Sequence, residues 1–219
     1  MFNEARLIAP FLRQLRERAI GAKIIVVDGG SNDGTPEQAR GLCDLLLTAP
    51  RGRGQQLNAG AAASSADTLW FLHADCEIAS GSLARIEEAL RDPKVIGGYF
   101  RIQLPRNRAV YRWTDSFAHY AGNVLRIRCG DHGFFCRRAV FGAIGGFPNV
   151  PLMEDVEFYR ALHRHGEVVA LEPRLRVSSR RYEEVGAWRL TLAYGLIATL
   201  YALGIPLSAL SKIYQRMCA

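Results

Sequence analysis

The chain has 219 residues, with 28 Lys plus Arg against 21 Asp plus Glu and a formal net charge of +7. That length fits one domain with a sizeable core, and the composition holds no low-complexity tract or repeat. The basic surface, with a pI of about 9.4, suits phosphate-bearing substrates, nucleic acid or an anionic membrane face. No RNA-binding signature, zinc finger or unbroken basic run is present, so nucleic acid is the weakest of the three. The cysteines, Cys43, Cys76, Cys129, Cys136 and Cys218, form no CxxC pair and follow no secretory signal. They read as reduced, mostly buried thiols of a cytosolic protein, and their spacing argues against zinc.

After Asn3-Glu4, a first helix carries Leu7, Ile8, Phe11, Leu12 and Leu15 on one face and ends near Gly21. Ile24–Val27 is a β-branched run suited to a strand covered on both faces. Asp28 follows at its carboxyl end, where open α/β sheets keep their ligand crevice. Asp28 and Asp33, in the turn DGGSNDGT, offer acceptor-only oxygens suited to the N–H and hydroxyl groups of a nucleoside. The plainer reading of this turn is a helix cap, with Pro36 at the first helical position. A helix to about Gly41 and a strand over Asp44–Thr48 come next. Gly52-Arg53-Gly54 then enters a helix over Gln55–Ala63, and arginines at a helix N-terminus make an anion site. Position 57 is Leu, so no dinucleotide fingerprint is complete and a nicotinamide enzyme fits poorly.

Thr68–Leu72 is a strand ending in His73-Ala74-Asp75. A helix over Ser80–Arg91 with Ser80 as N-cap and a strand over Val95–Leu104 follow. Gly97-Gly98 within that strand permits close backbone approach. Pro105–Arg108 is a break. The helix Ala109–Val124 carries Tyr111, Trp113, Phe117 and Tyr120, a spacing read as core packing. Gly130-Asp131-His132-Gly133 opens a strand over Phe134–Cys136, and Val140–Ile144 is a short helix. A helix from Pro151-Leu152-Met153-Glu154-Asp155 runs to Gly166 with two acids in its first turn, where the helix dipole favours negative charge. Strands over Val168–Leu171 and Arg174–Ser178 precede Arg180-Arg181.

Taken together, VVDGGSNDGT, Asn3-Glu4, Arg53-Gly54, FLHAD at 71–75, GDHGFFCRR at 130–138 and PLMEDVEF at 151–158 resemble the family 2 glycosyltransferases, in the family's order and over nearly the whole chain. The resemblance implies a GT-A, Rossmann-like α/β domain over 1–184: a mostly parallel sheet flanked by helices, with a C-terminal apolar helical segment over 185–219. It implies an inverting glycosyltransferase that uses a nucleotide-diphosphate sugar. Asn3, Glu4, Asp28, Asp33, Arg53 and Asp75 fall at the donor, Asn58 near its nucleotide, and Arg180 or Arg181 faces the diphosphate. Gly98, Asp131 and Glu154 fall on the acceptor side. Asp155 is the implied catalytic base. Asp75 is the implied Mg²⁺ or Mn²⁺ residue, with His73 standing where the family usually has a first acid. The family's Asn-Glu closes a hydrophobic central strand that this sequence lacks, which leads us to expect an internal or truncated start at Met1 and a gap in the sheet.

Leu190–Ser211 carries no charged residue and is long enough to span a bilayer. Its small and bulky stripes also suit an interfacial helix. The expected order is a helix docked on the domain and touching the cytoplasmic membrane face, then a true span, then a soluble helix. The acceptor hydroxyl or phosphate then belongs to a lipid, an isoprenoid or another small molecule. The rival readings are a catalytically inactive nucleotide-sugar-binding relic or scaffold, and a nucleotidyltransferase on a related sheet.

Overall fold

The computed structural model describes residues 1–104 and 109–218, and the side chains at 109, 115, 117–119 and 123 lie outside the described set. The expected break at Pro105–Arg108 and the Phe117 ring therefore fall outside the described residues. The architecture is α/β. Helix α1 (Ala5–Arg18) buries Ile8, Phe11, Leu12 and Leu15. Strand β1 (Ile25–Asp28) pairs in parallel with β2 (Leu45–Thr48) across α2 (Thr35–Ala39). Helix α3 (Arg53–Ala62), strands β3 (Thr68–Trp70) and β4 (Cys76–Glu77), helix α4 (Ser82–Ala89) and strand β5 (Val95–Gln103) follow. Helix α5 (Ala109–Val124) leads to a 3-10 turn at Gly130–His132, strand β6 (Phe135–Arg137) and helix α6 (Arg138–Ala143). Helix α7 (Glu154–His165), strand β7 (Glu167–Val177) and helices α8 (Arg180–Val185), α9 (Ala187–Ala202) and α10 (Leu207–Cys218) complete the described chain.

The pairing is mixed: β1–β2 and β5–β7 run parallel and the remaining ladders antiparallel. The larger sheet has the order β3-β6-β5-β7-β4, and only β5 and β7 run parallel within it. Strand direction depends on partners far along the chain, such as Leu69 with Cys136, and an apolar run does not encode it. The two strands expected after α7 are one continuous strand, β7. The helix expected from Ser80 begins at Ser82 with Gly81 as N-cap.

Alternation along the strands divides the core. Phe100 and Phe135 pack with Ile8, Leu12, Ile86 and Leu175 on one face. Their neighbours Tyr99 and Phe134 pack with Phe71, Phe147, Phe158 and Leu162 on the other. Phe147 and Phe158 stack at 4.1 Å between centroids. All five cysteines are free.

β1 and β2 stand apart as a two-stranded sheet. Along the other edge of β1 lies Met1, whose ammonium donates to the Val27 carbonyl (2.8 Å) and whose carbonyl accepts from the Gly29 N–H (2.9 Å). Val27 and Leu69 both face a cavity between the two sheets.

The C-terminal tail is two helices. Pro206 lacks an N–H and interrupts the run after Gly204. Helix α10 folds back on α9, with Tyr194 stacked on Tyr214 and Leu210 against Ile197 and Tyr201. Among the described residues no helix is long and apolar enough to cross a membrane. α9 is tied to the body through Leu190 with Tyr111 and Tyr182, and through Ile197 with Val156.

Candidate active site

A cavity of about 1580 Å³ runs from the gap between the sheets to the N-terminus of α7. Its polar part gathers residues from five places in the chain. Arg53 comes from the start of α3, His73 and Asp75 from the loop after β3, Asp131 from the 3-10 turn, Glu154 and Asp155 from α7, and Arg180 with Arg181 from α8.

Asp155 is 8% exposed. The Gly130 N–H donates to its Oδ2 (2.6 Å) and the Val156 N–H to its Oδ1 (2.8 Å). Burial, and then the adjacent Glu154, push its carboxyl up to about 7 despite those two donors. A carboxylate poised there takes and gives protons near neutral pH. Met153, the N-cap two residues earlier, adopts a left-handed conformation (φ 63°) that sets the turn into α7.

Gly130 also marks a close approach. A Cβ added there would lie 2.5 Å from His73 Nε2, so no larger residue fits without moving the ring. Burial lowers the His73 pKa against the opposing field of Asp131. Asp75 is raised by burial and then by Asp131. A carboxylate whose charge is disfavoured in this way by burial and a neighbouring acid is one that a cation relieves. Among the described residues no group of three or more His, Cys, Asp or Glu side chains is arranged to hold a metal by itself. The donor set fits a hard divalent ion that takes its remaining ligands from diphosphate and water. Burial acts to lower the Arg53 pKa, but Asp131, Asp155 and Glu154 outweigh it and hold the guanidinium above its ordinary value.

Several expected site residues make hydrogen bonds within the loops around the cavity. Asp28 is buried, and its Oδ2 accepts from the Gly30 and Ser31 N–H groups (2.9 Å each) while Oδ1 accepts from the Ser31 hydroxyl. Asp33 accepts from the Thr35 N–H and hydroxyl and from the Ala5 N–H. Asn3 Oδ1 accepts from the Asn32 N–H (3.2 Å). These three fix the loop over α1 and do not line the cavity. Asn58 is also outside it, paired twice with the Phe147 backbone. Gly98 is packed within β5, where a Cβ would meet the Val169 carbonyl and the Phe135 ring. Its bareness serves sheet packing.

Glu4 does line the cavity, and both its oxygens accept from Arg180 (2.9 and 3.0 Å). Arg181 sits over the Tyr214 ring. His132 is buried with Nδ1 2.9 Å from the Phe100 carbonyl, and burial pulls its pKa down to about 4. Sequence reasoning missed Tyr194 and Gln56. Tyr194 lines the cavity from α9, and the Gln56 amide donates to the Met1 and Val27 carbonyls (2.7 and 3.2 Å). Nothing in their local sequence distinguishes them from ordinary helix residues.

The pattern of conserved positions described as Glycosyl transferase family 2 matches residues 1–144. The chain belongs to that family. No curated protein matches it. Among solved structures, this family 2 chain is similar to the mannosyltransferase PcManGT of Pyrobaculum calidifontis in complex with GDP-Man and Mn²⁺, at 23% identity and a TM-score of 0.66. That match covers 94% of this chain and 63% of the mannosyltransferase, so the chain spans less than two thirds of that protein's length. It is also similar to S. aureus TarS 1–349 in complex with UDP-GlcNAc, at 15% identity and a TM-score of 0.65, covering 99% of this chain and 69% of the other. A third is glucosyl-3-phosphoglycerate synthase from Mycobacterium tuberculosis with Mn²⁺ and UDP-Glc, at 16% identity and a TM-score of 0.60, covering 94% and 77%. The fold is accordingly GT-A.

Proposed function

We propose that this family 2 chain moves a glycosyl group from a uridine or guanosine diphosphate sugar to an acceptor hydroxyl or phosphate, with inversion at the anomeric carbon. The observation that carries the reading is Asp155, a buried carboxyl with its pKa near 7, in one cavity with Arg53, Asp75 and Asp131. The deprotonated carboxylate takes the acceptor proton as the acceptor oxygen bonds to the anomeric carbon. The bond from that carbon to the diphosphate breaks, and the nucleoside diphosphate leaves with the electron pair. Arg53, and Arg180 or Arg181, meet the diphosphate as planar, permanently charged forks. Asp75, with Asp131 and His73 beside it, would hold Mg²⁺ or Mn²⁺. When bound, the ion stabilises charge on the leaving diphosphate. Two solved structures to which the chain is similar contain Mn²⁺ and a nucleotide sugar.

Part of the cavity wall is apolar, formed by Ile127, Leu152, Ile197 and Ala198, and we take it as the acceptor's wall. That wall favours an acceptor carried on a lipid or isoprenoid and a chain working at the cytoplasmic membrane face.

The test is a thermal-shift panel of nucleoside diphosphates with and without Mn²⁺, followed by assay of nucleoside diphosphate release from matching sugars. A ligand that binds only the folded state raises the midpoint. A metal-dependent shift with one base, and release abolished by Asp155→Asn, are the expected results. Binding without release would identify a relic, and no shift in folded protein would overturn the reading.

A further inference from the structure

We propose that the helix pair α5–α9 is a docking face for an anionic phospholipid surface. The inference deepens the transfer reading by giving the acceptor's source, and only that part rests on it. The two helices run side by side in the same direction. Val110 and Tyr111 pack with Ala187 and Leu190 near their starts, Thr114 and Thr191 share a hydroxyl contact at 2.8 Å, and Ile127 beyond α5 packs with Ile197. From the Thr114–Thr191 contact, helical geometry turns positions 113, 120 and 124 and positions 188, 192 and 196 to the same side of the pair.

Those positions are apolar and open. Trp113 is 69% exposed, Tyr120 58%, Val124 59%, Trp188 59% and Leu192 66%. Leu203 and Ile205, in the turn to α10, are exposed too. Scattered apolar side chains on a surface need no explanation, whereas a face that groups them with two indole rings does. Trp and Tyr favour the membrane–water interface, where one end of the ring is dry and the other wet.

Charge selects the occupant. On α9 the one charged residue is Arg189, which is exposed. On α5 and just beyond it Arg112 and Arg126 are exposed, and in sequence the one acid between positions 106 and 128 is Asp115. Such segments are drawn to anionic headgroups, whereas a second copy would set cation against cation. Helix α9 is also too short to cross the bilayer, so its outer face lies on the surface. Its opposite face, with Tyr194, Ile197 and Ala198, lines the cavity that holds Asp155. One helix diameter, about 10 Å, separates the docking face from the cavity, close enough for a headgroup-level hydroxyl or phosphate to enter.

The experiment is co-sedimentation with phosphatidylcholine vesicles, alone or mixed with phosphatidylglycerol. The full chain is expected to pellet with the mixed vesicles and to be released by salt. The double substitution Trp113→Ala with Trp188→Ala is expected to weaken vesicle binding about tenfold or more, with the thermal midpoint and the nucleoside diphosphate shift unchanged. No pelleting, or equal pelleting of the variant, overturns the proposal. So does a dimer in sedimentation velocity that the same substitutions dissolve while vesicles go unbound. Vesicle binding without any nucleotide shift in the wild-type chain would instead overturn the transfer reading and leave the docking face standing.

Discussion

The Gly130 N–H donates to Asp155 Oδ2 at 2.6 Å, and this bond joins the 3-10 turn to the N-terminus of α7. It fixes the carboxyl in the cavity and leaves its second oxygen on the Val156 N–H. Asp155→Asn is expected to lower transfer by roughly 10²–10⁴-fold, the usual worth of a general base. In the wild type, activity should rise with pH up to about 7 and then level, as Asp155 loses its proton. A pH profile at subsaturating substrate checks this.

The same residue has a stability signature. Its folded pKa lies above its unfolded value, so its contribution is fully present below the unfolded pKa and is lost as pH rises through about 7. Asp155→Asn should therefore be more stable than the wild type above pH 7, by about 1–2 kcal/mol once lost N–H pairing is offset. The advantage should vanish in acid. Urea unfolding at several pH values measures it.

His132 pulls the other way. Its pKa is lowered to about 4, so the unfolded chain binds the extra proton first. Its contribution is present above the unfolded value and is lost as pH falls from about 6.5 towards about 4. In the Asp155→Asn background this acid-side loss should appear unopposed, as a steeper fall in midpoint across that window.

Gly130→Ala brings a Cβ to 2.5 Å from His73 Nε2. The ring must move, at a cost of about 1–3 kcal/mol, and the metal-dependent nucleotide shift should shrink with it. Adding His73→Ala should recover most of the stability. A double-mutant cycle with strong non-additivity is the expected result.

Asp75 is expected to trade stability for function. Burial and Asp131 raise its pKa, so Asp75→Asn removes an unfavourable charge and should hold or raise the midpoint at neutral pH. The same substitution should remove the Mn²⁺ dependence of nucleotide binding. Equal Mn²⁺ dependence in the variant would take Asp75 out of the metal site.

Much of this was legible in the chain. β1, the amphipathic face of α1 and the first turn of α7 follow from local periodicity and capping, which depend on neighbours a few residues away. The order of the motifs gave the family, and Asp75, Asp131, Arg53 and Asp155 do line one cavity. Local sequence could not tell a residue that faces the cavity from one that braces its wall. Asp28 and Asp33 spend their oxygens on their own loop, and Gly98 serves the packing of β5. The mixed sheet, the parallel α5–α9 pair and the Gly130–Asp155 bond join residues distant in sequence. The chain alone determined which elements form and which acids are present. Only tertiary packing decided strand direction, which carboxylates lose their water, and therefore where the pKa of Asp155 lies.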